Sequence, residues 1–575
     1  MNTKILKTIL AVFLSFTMFQ IALPCTNVII TKGASKDGSV MVTYAADSHQ
    51  LYGELYFNRA ASFAKNSLLK ITEWDTGRYL GEIAQVVNTF QTVGNMNQYQ
   101  VAITETTFGG RSELVDATGL VDYGSLIYVT LQRAKTAREA IEIMTALVEE
   151  YGFASGGETF TITDKNEAWI MEMVGKGNKV VDGKNLNKGA VWVAARIPDG
   201  YICAHANQSR IDTFPLNDPE NWIYSKDVIS FAREAGYFEG EDKDFSFRDA
   251  YAPLDFGALR YCEARVWAAF NILGKGMIGD KKAEEYLDFA MGYNPENQMP
   301  LFIKPAEKVS LKNVADVMRD HYEGSPMDMS TDLGAGPHNC PYRWRPMTFE
   351  VDGKKYLNER AIATQQTGFW IVCQSRNWLP DEIGGILWFG VDDASTSCLS
   401  PIYTSINETP ECIAVGNGDM LTYSPSSSFW LFNRVAQFAY LLYNRVAPEI
   451  IKATNDFENK TIEEIQTIDR KAMEILGNPA NINKKLNAKK IAEVKEFLTK
   501  YSSDKAQNLF DTWQKLDQYL LVKYIDGNVK VQNPDGTFKN NGNSPHIPAS
   551  PDQPGYNEKW KKAVANDNGK ILEVK

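Results

Sequence analysis

Histidine is scarce in this chain. Its five copies (His49, His205, His321, His338 and His546) include no HExxH spacing of the kind that holds a catalytic zinc. None of the seven cysteines falls in a CxxC pair, which removes the commonest structural zinc frameworks. No metal and no cofactor are therefore expected. Basic residues are outnumbered, 60 Lys+Arg against 71 Asp+Glu, and the net charge is −11. No basic run stands out before the tail, so a nucleic-acid partner is not expected. Beyond the amino-terminal segment no apolar run approaches the roughly 20 residues needed to span a bilayer, and stable membrane insertion is not expected either.

What the chain does have is a leader. Lys4 and Lys7 form a short positive region, Ile9 to Phe19 an apolar core, and Ala22 a small residue shortly after it. This is the pattern of a signal peptide, here residues 1–24, and it predicts an exported protein, periplasmic or extracellular. Ala22 suits the −1 position of a signal peptidase cut, which would leave Leu23-Pro24 for a second trimming step. A lipoprotein signal would also place Cys25 first, but Leu-Pro before the cysteine departs from the small residues such a signal carries. Lipidation would block both the amine and the thiol of Cys25.

A cut on the amino side of Cys25 leaves one residue with both a thiol and a free α-amine, groups whose ordinary pKa values lie near 8.5 and about 8. The thiol can attack while its own amine takes the proton, as in N-terminal nucleophiles. Thr26 to Thr31 and Ser39 to Thr43 are β-prone runs around the Lys36-Asp37-Gly38 turn, so Cys25 should begin a hairpin. The second strand leads into Asp47, whose carboxylate would sit beside the hairpin's start and orient the amine. The competing role for Asp47 is capping a turn.

Cys25-Thr26-Asn27-Val28-Ile29-Ile30 through Ser39, followed by Ala46-Asp47-Ser48-His49, resembles the start of the peptidase family C69 dipeptidases. These are N-terminal nucleophile hydrolases related to penicillin V acylase and bile salt hydrolase. Further blocks in the same order are Glu105 to Arg111, Glu167 to Glu172, His321 to Gly324, Asn339 to Arg345 and Cys373 to Pro380. The resemblance implies an α+β fold, a four-layer αββα sandwich with its antiparallel sheets back to back. It also matches Asn207 to an oxyanion-holding asparagine and Arg265 to an active-site arginine that stabilises the thiolate or binds a substrate carboxylate. The alternatives are an Asx-turn for Asn207 and an exposed helical ion pair for Arg265. Two positions depart from the acylase relatives: Tyr44 stands where they carry an arginine, and their asparagine near Thr107 is absent.

The intervening sequence fits a meander. Val101 to Thr106, Phe160 to Thr163, Ala168 to Met173, Gly189 to Ala195, Tyr201 to Ala204, Ala361 to Gln374 and Gly385 to Val391 read as strands, and Ala134 to Tyr151 as an amphipathic helix. Glu105 and Arg111 flank a strand expected to border the pocket and are assigned to substrate binding, Glu105 toward an ammonium. A structural ion pair is the alternative for Glu105. His205, a lone histidine at a strand end, is left unassigned. The six cysteines other than Cys25 allow 15 pairings that the sequence does not rank.

The organisation expected is a hydrolase core over 25–426, a helical extension over 427–525 and a largely irregular tail over 526–575. In the extension, Ser427 to Ala447, Ile462 to Leu476, Ala488 to Lys500 and Leu509 to Ile525 carry apolar stripes. The function expected is an exported cysteine dipeptidase acting on dipeptides or short peptides, with self-association left open. Two rivals remain: an acylase-like amide hydrolase on N-acyl amino acids, and a lipid-anchored protein that binds peptides or glycans without turnover.

Overall fold

The computed structural model describes residues 25–344, 346–477 and 484–574. The expected leader, residues 1–24, lies outside them, as does Arg345. The fold is mixed α and β, with two large antiparallel sheets. The first runs in the order Phe302–Ile303, Ile202–His205, Asn27–Ile30, Val40–Asp47, Thr367–Ser375, Gly385–Val391, Ser400–Tyr403. The second runs Trp222–Tyr224, Ala190–Arg196, Ala168–Gly175, Gly157–Thr163, Ala102–Gly109, Met96–Asn97, Thr92–Val93, Phe57–Asn58.

The central strands are buried along their whole length, so alternation sorts their side chains between two cores rather than between core and water. In the second sheet Ile103, Phe160, Ile162, Trp169 and Met171 pack with the helices Tyr123–Leu131 and Ala137–Tyr151. Ala102, Ile170, Val174 and Val193, on the alternate positions, join the core that includes Val28, Ile30 and Val42 of the first sheet. Polar ties cross between the sheets. Asn27 Nδ2 donates to the Glu105 carbonyl at 2.7 Å, and His205 lies between Thr106 Oγ1 and Thr161 Oγ1 at 2.7 Å from each. His205 is therefore a buried inter-sheet strut, which fits its having no assigned chemistry.

Helices Ala264–Leu273 and Leu311–Val317 pack on strands of the first sheet. Ser428–Leu441, Tyr443–Leu476 and Lys484–Tyr524 cover its other end. This region differs in detail from the sequence reading. The first expected helix divides at Leu442, whose non-helical backbone (φ −148°, ψ 57°) interrupts it. Two expected helices fuse into the 41-residue Lys484–Tyr524. Ser502 and Ser503, between those two stretches, lie mid-helix, and Ser502 Oγ accepts from the backbone N–H of Tyr403 at 3.2 Å. The irregular tail carries one helix, Glu558–Leu572. All seven cysteines are unpaired.

Candidate active site

Cys25 stands at the mouth of the Asn27–Ile30 strand, with Thr26 bridged to Ala45 of the neighbouring strand. Its side chain is buried, 3% exposed. In the full-length chain its nitrogen is a peptide N–H following Pro24, and it donates to Asn207 Oδ1 at 2.8 Å. The thiol lies 3.7 Å from Glu105 Oε1 and 3.9 Å from Tyr44 OH, and Tyr44 OH donates to the same Glu105 oxygen at 2.7 Å. Burial raises the thiol pKa well above its ordinary value, and the negative charges of Glu105 and Asp47 raise it further. The backbone N–H of Asp47 and the hydroxyl of Tyr44 act in the opposite sense.

Asn207 follows the Ile202–His205 strand in the left-handed region, φ 64°, a conformation asparagine adopts more readily than most residues. The amide's orientation follows from its neighbours. Cys25 N–H and Arg265 Nη2 both donate to one end, which must be the oxygen, while the other end donates to the Thr107 carbonyl at 2.7 Å. One N–H of the amide is committed to the Thr107 carbonyl, and the amide oxygen faces the Cys25 nitrogen.

Asp47 lies beside Cys25. Its carboxylate pairs with Arg360 Nη2 at 2.5 Å and accepts from Thr367 Oγ1 at 2.5 Å, while the Cys25 N–H donates to Asn207 Oδ1. A bulge sets this up: Ala46 pairs with Phe369 and Asp47 with Thr367, so Gly368 is the extra residue that brings Thr367 abreast of Asp47. A side chain at 368 would run into Leu51. Burial pushes the Asp47 carboxyl up to about 6 against the pull of Arg360, Thr367 and Arg265.

Arg265 lies at the heart of the arrangement and is 1% exposed. It follows a π-helical turn, Ala258–Glu263, at the head of the α-helix Ala264–Leu273, a local geometry frequent at functional sites. Its guanidinium donates to the Cys25 carbonyl, to Thr26 Oγ1 at 2.8 Å, to the Ala206 carbonyl at 3.0 Å and to Asn207 Oδ1 at 2.8 Å. Nε donates to Tyr261 O at 2.7 Å. The alternative of an exposed helical ion pair is excluded by this burial. One cation thus holds both the Cys25 carbonyl and the amide oxygen that accepts from the Cys25 N–H.

Of the two residues assigned to substrate, Glu105 is at the thiol and Arg111 is not placed with it. Arg111 donates to the Ala250 carbonyl at 2.7 Å and stacks on Tyr237, 4.2 Å from the ring centre. Sequence reasoning missed three contributors: Tyr44, noted only as a departure; Glu158, whose carboxyl interacts with Glu105; and Arg360. A strand periodicity puts Glu158 inside, and a carboxylate inside a strand is itself a signal. Among the described residues no group of His, Cys, Asp and Glu is placed to hold a metal ion, and no helix is long and apolar enough to cross a membrane.

Comparison with known proteins places this geometry in context. Residues 24–456 match the family model described as peptidase family C69. A "Probable dipeptidase" of Latilactobacillus sakei is 26% identical over 407 residues, covering 67% of this chain and 75% of the relative. A "Probable dipeptidase" of Salmonella dublin is 25% identical over 397 residues, 66% and 80% of the two chains. "Dipeptidase A" of Lactobacillus helveticus is 23% identical over 467 residues, 77% and 87%.

Proposed function

The chain belongs to peptidase family C69, and from that membership we propose that it is an exported cysteine dipeptidase of the N-terminal nucleophile type. The two large sheets with helices packed against each support reading the fold as the four-layer sandwich of that class. The observation that carries the mechanism is the setting of Cys25. It lies at a strand mouth, its nitrogen held by Asn207, its carbonyl held by Arg265, and its thiol beside Glu105.

Leader removal turns the Cys25 peptide nitrogen into an amine. Held by Asn207 Oδ1, that amine accepts the thiol proton as sulfur attacks the scissile carbonyl. A carbon–sulfur bond forms, the tetrahedral centre collapses with loss of the carbon–nitrogen bond, and the proton passes to the leaving amine. Water, deprotonated by the same amine, then cleaves the thioester and returns the thiol. Asp47 and Arg360 act as a buried pair beside the thiol, setting its field rather than carrying its proton. A fresh α-ammonium next to sulfur also opposes the two carboxylates that hold the thiol pKa high.

Two measurements test this together. Mass spectrometry of the mature amino terminus should find unmodified Cys25, and a panel should show hydrolysis of dipeptides with little turnover of N-acyl amino acids. A diacylglyceryl adduct on Cys25 would overturn the reading in favour of an anchored binding protein. Preference for N-acyl amino acids would reassign it as an acylase.

A further inference from the structure

Two of the segments that reach Cys25 are irregular. Asn207 sits just past the Ile202–His205 strand in the left-handed region, φ 64°, and Arg265 follows the π-helical turn Ala258–Glu263. Neither conformation supports itself: sparsely populated backbone and wide helical turns persist only where the surroundings over-determine them. A buried ion pair, Arg210–Glu263, joins the two. Arg210 lies three residues after Asn207, and Glu263, which ends the π-helical turn, lies two before Arg265. Arg210 Nε donates to both carboxylate oxygens of Glu263, at 3.0 and 3.2 Å, and the side chains are 3% and 4% exposed. The same guanidinium donates back to the strand end at the Ala204 carbonyl, 3.1 Å, and to the carbonyls of Leu301 and Pro300, at 3.3 and 3.2 Å. It also lies 5.5 Å from the ring centre of Phe270, on the helix that carries Arg265. Glu172 anchors the other side of the loop, accepting from the backbone N–H groups of Arg210 and Ile211, at 2.5 and 3.1 Å, and from Ser209 Oγ.

We propose that Arg210 and Glu263 are a positioning pair: the strut between them sets the spacing of Asn207 and Arg265, and through those two the placement of the Cys25 nitrogen and carbonyl. The inference rests on the peptidase reading of Cys25. Arg265 meets the loop at the Ala206 carbonyl, 3.0 Å, and at Asn207 Oδ1, 2.8 Å. A relative shift of about 1 Å between loop and turn would carry both contacts out of hydrogen-bond range. A buried ion pair gains little stability over a well-packed apolar pair of similar volume. What this one adds is direction, because a planar guanidinium on a carboxylate fixes angle as well as distance. The pair also borders a cavity of about 580 Å³ that Pro300 and Leu301 line as well, so water can serve those two carbonyls when the arginine is replaced.

The test separates position from stability in protein trimmed so that Cys25 is its amino terminus. Arg210→Met, Glu263→Leu and the variant carrying both are compared with the parent by steady-state dipeptide hydrolysis and by urea unfolding. Each single variant leaves one buried charge unpaired and should unfold at markedly lower urea. The double variant leaves none, so its unfolding midpoint should return toward the parent's. Its kcat should nevertheless stay about 100-fold below the parent's with KM nearly unchanged, the cost of misplacing reacting groups by about 1 Å. Arg210→Lys, which keeps the charge without the planar fork, should lie between. Recovery of kcat together with the midpoint in the double variant would overturn the proposal, as would a loss carried by KM. Should the double variant not fold, Glu263→Gln, which keeps the shape and loses the charge, decides on the same readouts, and parent kcat there would overturn the proposal. Turnover by trimmed Cys25→Ala protein, or none by the parent, would instead remove the nucleophile reading and the proposal with it, so the two failures are separable.

Discussion

Replacing Arg265 by methionine removes a charge of similar length from the centre of the site. The guanidinium makes five donor contacts, to Tyr261 O, Cys25 O, Thr26 Oγ1, Ala206 O and Asn207 Oδ1. Breaking a buried charged network by deleting one partner costs about 3–5 kcal/mol. An apolar methionine returns about 1.5–3 kcal/mol through its burial. The net destabilisation expected is about 2 kcal/mol, small against the roughly 5–15 kcal/mol of a folded protein, so the variant should fold. Catalysis should suffer more than stability. Without the guanidinium the Cys25 carbonyl loses its charged donor and the Asn207 oxygen loses one of its donors, and misplacement of a reacting group by about 1 Å costs around 100-fold. Arg265 touches the Cys25 backbone, so the loss should appear in kcat with KM nearly unchanged. Arg265→Lys, keeping charge but not the planar fork, should fall between. The assay is steady-state dipeptide hydrolysis alongside urea unfolding. A methionine variant with wild-type kcat and an unshifted unfolding midpoint would refute the reasoning.

Three further outcomes follow. Asn207→Ala should lower kcat by about 10²–10⁴-fold, the contribution of a positioned proton carrier; an equal loss in KM alone would place Asn207 on substrate. His205 is held neutral, its pKa lowered to about 3 by burial and by Arg210 and Arg265, against about 6.5 unfolded. Its stabilising share is therefore complete above pH 6.5 and is lost as pH falls toward 3, so His205→Gln should flatten the acid side of the stability curve while leaving the pH profile of kcat in place. A shifted kcat profile would give His205 a catalytic part. Full-length protein with residues 1–24 attached should be inactive, because its Cys25 nitrogen is a peptide N–H without basicity. Hydrolysis by an uncleaved chain, verified by intact mass, would contradict the amine's role.

Much of this architecture is written in local pattern. The β-branched runs around Lys36-Asp37-Gly38 read as a hairpin begun by Cys25, and strands Asn27–Ile30 and Val40–Asp47 form it, the first starting two residues later. Arg265 was visible as an arginine beside an apolar helical stretch, although the π-helical turn that sets its angle was not. Other contributors depend on contacts between distant segments. Arg360 reaches Asp47 from 313 positions away, and periodicity carries no information about such a pairing. Asn207 shows a finer limit. Composition places an amide after a strand, but only the donors around it decide which end meets Cys25. Ser502 illustrates tertiary override: it lies between two stretches read as separate helices, yet packing against Tyr403 accompanies one continuous helix.

The sulfur of Cys25 is the centre of the account. Correctly trimmed Cys25→Ala protein, assayed with unblocked dipeptides under conditions where the parent turns over readily, should lose activity by about 10⁴-fold or more, as nucleophile deletions do. Hydrolysis at the parent's rate by that same trimmed variant would contradict it.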